Sequence, residues 1–189
     1  MVALQSLILL AIPMVTAMST DLLKRAPKTP FNLYGYGRGI GGAPVFTSGD
    51  RAFLGNASRF NDPEAVPVQF VVSTDNSLVG NPNSTSEDSE PSWSNLTFIV
   101  PDTASPSHQV SFSNSTSNTD ASASGFVFYG QFCLHKNTDG ALKSLWYALP
   151  TEYDDVWDLD WNSTDDYTEG QVMLTLKATA PSKPVDTTQ

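Results

Sequence analysis

Apolar residues fall at every second position in several short stretches of the chain, and no stretch keeps the three-to-four spacing of an amphipathic helix. Phe31, Leu33, Tyr34 and Tyr36 open the pattern as a strand that runs into a glycine-rich bend, Gly35 to Gly42, where the chain can bulge or turn tightly. Pro44 to Thr47 and Arg51 to Leu54 then flank Ser48-Gly49-Asp50, the spacing of a β-hairpin with a short glycine-containing loop. Val66 to Val72 places Val68, Phe70 and Val72 on one face. Further strands are predicted at Asn95 to Val100, Gln109 to Ser113, Gly125 to Cys133, Leu142 to Leu149, Val156 to Trp161 and Gln171 to Lys177. Between them, Ser73 to Ser94 and Asn114 to Ser124 are so rich in Ser, Asn, Asp, Thr and Pro that they read as long solvated loops. Asn137-Thr138-Asp139-Gly140 reads as a tight turn.

About ten short strands with turns between them and no helix predict an all-β, single-domain antiparallel β-sandwich over residues 26–180, with a partly open β-barrel as the alternative. The ends of the chain carry different signals. Leu7 to Val15 is an apolar run of signal-peptide length followed by the small residues Val15-Thr16-Ala17, so residues 1–17 read as a secretion signal. The run is too short, and too interrupted by Pro13, for a membrane span. Lys24-Arg25 closes a short polar leader, residues 18–25, of the kind that dibasic processing proteases cut. The tail, residues 181–189, reads as disordered.

Five Asn-x-Ser/Thr sequons, at Asn56, Asn83, Asn95, Asn114 and Asn162, fit the secretory route and predict glycans on exposed loops and strand edges. Cys133 is the single cysteine, so an intramolecular disulfide is impossible, and an apolar setting for it is expected; an interchain disulfide is the alternative. Twenty acidic residues against ten basic give a formal net charge of −10. That balance argues against nucleic acid and anionic membrane surfaces, both of which call for Lys and Arg against phosphate.

Candidate chemistry is sparse. Gly37, Gly39 and Gly42 match G-x-G-x-x-G, but the following Pro44-Val45-Phe46 is strand-like where a dinucleotide site needs a helix, so no cofactor is expected. Asp158, Asp160, Asn162, Thr164, Asp166 and Glu169 fall on the six ligand positions of an EF-hand loop. Ser163 replaces its glycine and no helices flank it, which leaves only a weak calcium candidate in Asp158, Asp160 and Asp166 and no expected metal centre. Neither His108 nor His135 lies near a nucleophile elbow. An acid-pair glycosidase would need two facing carboxylates, for which Asp155 and Asp158 are candidates. Trp93, Trp146, Trp157 and Trp161 could stack on sugar rings, yet Trp157, Leu159 and Trp161 share one face of a strand while Asp158 and Asp160 share the other, which reads as core on the indole side.

Phe31 to Gly55, Ser92 to Asp102 (SWSNLTFIVPD), Ser144 to Thr151 (SLWYALPT) and Val156 to Asn162 (VWDLDWN) together resemble a family of small secreted proteins of filamentous ascomycete fungi. The resemblance implies origin and architecture and supplies no catalytic position. The expectation from the sequence is therefore a secreted, N-glycosylated, non-catalytic extracellular or cell-wall-associated protein acting through surface contacts with a wall polysaccharide or an extracellular protein. A carbohydrate-binding module using exposed Trp or Tyr, and a small acid-pair glycoside hydrolase, are the alternatives.

Overall fold

The computed structural model describes residues 27–84, 91–114 and 121–182. Residues 1–17 and 18–25, read as a secretion signal and leader, and all but the first two residues of the tail lie outside the described residues. The first half of the chain contributes β1 (Phe31–Asn32), β2 (Tyr34–Gly37), β3 (Ile40–Ser48), β4 (Arg51–Gly55), β5 (Val66–Val72), β6 (Leu78–Pro82) and β7 (Leu96–Pro101). The second half contributes β8 (Ser111–Ser113), β9 (Ala121–Ser122), β10 (Phe126–Tyr129), β11 (Phe132–Lys136), β12 (Leu142–Lys143), β13 (Trp146–Pro150), β14 (Val156–Trp161) and β15 (Val172–Lys177). Among the described residues the only helical piece is a 3-10 turn at Ala57–Arg59, capped by the Asn56 side chain, and no helix is long and apolar enough to cross a membrane.

All pairings are antiparallel, as expected for an all-β chain, and the architecture takes its barrel form. Ten strands close in the order β2-β3-β5-β6-β7-β8-β4-β14-β13-β15, because Leu174 to Lys177 of β15 pair with Gly37 to Tyr34 of β2 and join the last strand to the first turn of the sheet. The remaining strands pair outside the barrel, β1 with β5, β9 with β7, β11 with β15, and β10 and β12 with β11, and the β3–β4 hairpin also pairs directly, Phe46 with Phe53 and Ser48 with Arg51. A closed sheet removes exposed edges and sorts every strand into inward and outward positions.

Three local readings are corrected. Leu78–Pro82 is a paired strand inside the stretch read as loop, because Leu78 is fully buried and Val79 and Gly80 bond to both β5 and β7. Gly125 to Cys133 is not one strand: Gly130, at φ 61°, turns the chain so that β10 and β11 form a hairpin. Leu142 to Leu149 likewise divides, Leu142–Lys143 pairing with β11 and Trp146–Pro150 with β14.

The interior is aromatic. Phe98 lies between Phe70, Phe112, Phe126 and Trp146, and Trp146 meets Trp161 edge to face at 4.6 Å. The Trp146 indole N–H donates to the Cys133 carbonyl at 2.9 Å, which satisfies the one polar atom this ring brings inside. Cys133 is fully buried beside it, and burial pushes its thiol up, so it is not presented to solvent. A smaller cluster of Phe46, Phe53, Ala57, Ala65 and Val156 covers the outer side of the β3–β4 hairpin.

Candidate polar cleft

The outward positions of β13, β14 and β4 build the site. In β14 the two-residue period that points Trp157, Leu159 and Trp161 inward points Asp158 and Asp160 outward. The register sets Tyr147 opposite Asp160 and Leu149 opposite Asp158. On the other flank Phe53 stands opposite Asp158, so that Arg51, two residues earlier on the same face, reaches the acids. This contact depends on Gly55, whose φ of 123° and missing side chain let the Asp155 carbonyl approach: a Cβ there would stand 2.1 Å from that oxygen.

Two connections complete the walls. Residues 106–110 run along β14, Val110 N–H donating to Leu159 O and Trp161 N–H to His108 O, and Gln109 bridges to Asp160. Beyond β14 the Asn162 amide grips the Asp166 backbone from both sides, donating to its carbonyl at 2.7 Å and accepting from its N–H at 3.3 Å. That grip folds Thr164 and Asp166 back over His108. The result is an open cleft of about 560 Å³ lined chiefly by Arg51, His108, Gln109, Tyr147, Asp158, Asp160, Asp166 and Thr168.

Within it, Arg51 Nη2 donates to Asp158 Oδ1 at 2.5 Å and its guanidinium meets the Gln109 amide oxygen. The guanidinium also lies 5.1 Å from the centre of the Phe53 ring. The His108 ring is held at both nitrogens, Nδ1 against the Tyr147 hydroxyl and Nε2 against Thr164 Oγ1, each at 2.8 Å, with Asp166 Oδ1 at 3.4 Å from Nε2. Asp160 is different. Its residue is 6% exposed and lines the cleft, yet its carboxyl accepts no hydrogen bond from any described residue. Burial, and then the charge of Asp158, push it up to about 6 against the opposing pull of Arg51. Burial raises Asp158 as well, with Arg51 working against the rise. Tyr147 is raised by burial first, with Asp160 and Asp166 adding to it and Thr168 opposing. Chemically, Asp160 is an acceptor near neutral pH and a proton donor in mild acid, beside a second carboxyl that burial also raises and that Arg51 bonds directly.

The residues singled out in the sequence fall elsewhere or in new company. Trp146 and Trp161 are 0% and 3% exposed inside the barrel and offer no face to a sugar. Trp157 is half-buried against the same core. Trp93 is also half-buried, its indole N–H donating to Glu64 O at 2.9 Å, and it borders a smaller cleft of about 390 Å³ with Asp50 and Asn114. Asp155 sits in the exposed turn before β14 at φ 58°, so Asp160 and not Asp155 shares the outer face with Asp158. Asp158 and Asp160 belong to a strand and not to a calcium loop, and among the described residues no group of three His, Cys, Asp or Glu could hold a metal ion. Asn95 and Asn114 are exposed and Asn56 and Asn83 partly so, whereas Asn162 is 7% exposed and bonded through its amide, against the expectation that it faces solvent. Gly37, Gly39 and Gly42 belong to the β2–β3 hairpin.

Arg51, His108, Gln109 and Tyr147 carry no local signature in the sequence. Only the alternation in Val156 to Trp161 announces an acidic outer face. No family model matches the chain, and no curated protein or solved structure is significantly similar to it.

Proposed function

We propose that the protein is a secreted, N-glycosylated, non-catalytic β-barrel of a fungal extracellular space or cell wall, which binds a polyhydroxylated wall polysaccharide in the outer-face cleft and not on its indoles. The observation that carries this reading is Asp160, a mostly buried residue whose carboxyl accepts no hydrogen bond from the described residues and opens onto a cleft rimmed by hydroxyl, imidazole and guanidinium groups. Sugar hydroxyls both donate and accept, so they suit a wall of alternating acceptors and donors, and they supply the bond that Asp160 lacks. Secretion and processing rest on Leu7 to Val15 and Lys24-Arg25, glycosylation on the exposed sequons, and fungal origin on the sequence resemblance. Retention of the secreted protein on insoluble chitin, β-glucan and cellulose tests the reading. At least one polymer is expected to retain it, and Asp160→Asn or Arg51→Ala to weaken retention about tenfold, while Trp93→Ala leaves it in place. Retention that depends on Trp93 and ignores Asp160, or no retention, would overturn it.

A hydrolytic reading has one observation in its favour. Asp158 and Asp160 lie two residues apart on one face, about 6.6 Å along the strand; burial raises both, Asp160 to about 6, while Arg51 bonds Asp158 directly. A protonated Asp160 would then give its proton to a glycosidic oxygen. Release of new reducing ends from the polymer that retains the protein, abolished in Asp160→Asn, would establish it; intact polymer after prolonged incubation would dismiss it.

A further inference from the structure

Resting on the reading of the cleft as a saccharide site, we infer that its ligand carries a primary ammonium group, as an amino sugar with a free amine does, seated against Asp160. Asp160 is faced by Asp158 on its own strand, by Arg51 from β4, by Tyr147 from β13, by His108 and Gln109 from the segment before β8, and by Asp166 and Thr168 from the loop after β14. Three carboxylates therefore stand against one permanent cation, and that cation is already engaged by Asp158 and Gln109. The His108 ring is likewise committed at both nitrogens.

A neutral hydroxyl would give Asp160 one hydrogen bond and leave its repulsion with Asp158 in place. An ammonium supplies three donors and a charge of the sign the cleft lacks. A divalent metal would need a cluster of ligands that the described residues do not form. A compact ammonium asks less, since a carboxylate and a hydroxyl such as those of Asp160 and Tyr147 satisfy it without closing around it.

The test uses two probes with the same backbone and opposite status at nitrogen: a glucosamine tetramer and its fully N-acetylated counterpart, titrated calorimetrically into the secreted protein near neutral pH. The deacetylated tetramer is expected to bind at least tenfold more tightly. Asp160→Asn removes that preference, while Asp139→Asn, an exposed carboxylate in the turn before β12, preserves it. The preference also shrinks as pH falls through about 6, where Asp160 takes up its proton. Equal binding of both tetramers would overturn the ammonium and leave the saccharide reading standing. A preference that survives Asp160→Asn but disappears in about 0.5 M salt would trace to the net charge of −10 and would also overturn it. Binding of neither tetramer nor any neutral oligosaccharide would remove both readings together.

Discussion

Strand β14 presents two surfaces whose chemistry is opposite although they share one backbone. On its inner face Trp161 meets Trp146 across the strand pair in the buried core; on its outer face, one residue away, Asp160 meets Tyr147 across the same pair and opens onto the cleft. The inner pair gains from every atom it buries. The outer pair holds a carboxyl at a cost, since burial and Asp158 both disfavour its charge. The contrast gives stability to the indoles and, on the proposed function, recognition to the acids, and it predicts that the two can be damaged separately.

The largest effect is expected inside. Trp146→Ala removes the largest fully buried side chain and its bond to the Cys133 carbonyl, and should cost about 4 kcal/mol in urea unfolding, while the fraction that remains folded keeps its affinity at the cleft. Gly55→Ala strikes the outer face without touching the aromatic stack. Its Cβ would collide with the Asp155 carbonyl, so a loss of about 2–3 kcal/mol is expected together with weaker ligand binding, because the β4–β14 register that delivers Arg51 must shift.

Asp160→Asn should move stability the other way. The folded-state pKa of Asp160 is raised, so between the ordinary carboxylate value and about 6 the folded protein holds a proton that the unfolded chain has lost, and stability falls as pH rises through that window. The variant escapes the penalty: about 2 kcal/mol more stable than the parent at pH 7, with the gain vanishing below about pH 4, read from unfolding curves at several pH values. A group that destabilises the fold and serves the ligand would be distinguished by losing binding in the same variant. The smallest effect belongs to the periphery. Trp93→Phe keeps an aromatic ring of smaller size and deletes the hydrogen bond to the Glu64 carbonyl, for about 1 kcal/mol, with binding at the main cleft unchanged in the same titration.

The division between the two faces was legible in the sequence wherever a strand alternates over several residues. Val156 to Trp161 and Gln171 to Lys177 show their inner and outer sides directly, and the hairpin at Ser48-Gly49-Asp50 is marked by its turn. Leu78–Pro82 escaped because its neighbours are polar: only Leu78 and Val79 signal a strand, and pairing on both sides supplies what local composition withholds. The break at Gly130 escaped because the apolar residues on either side continue the same alternation through the turn. In the cleft, the acids of β14 could be placed on one face, but their partners could not. Arg51 lies 107 positions from Asp158, and His108 lies 39 from Tyr147, so only the long-range pairing of β14 with β4 and with the segment before β8 brings them together. Asp155 and Asp158 look like a pair in sequence; the strand starting at Val156 puts Asp160 in that place instead.

The central claim is that this chain binds through the outer face of β13 and β14 while its indoles hold the barrel. Chemical-shift mapping of the isotope-labelled protein, titrated with the glucosamine tetramer, addresses it residue by residue. The account predicts saturable shifts at the amides of Tyr147, Asp158, Asp160 and His108, with the four indole N–H signals nearly still. Shifts concentrated on the Trp93 and Trp157 indoles, with the amides around Asp160 unmoved, would contradict it.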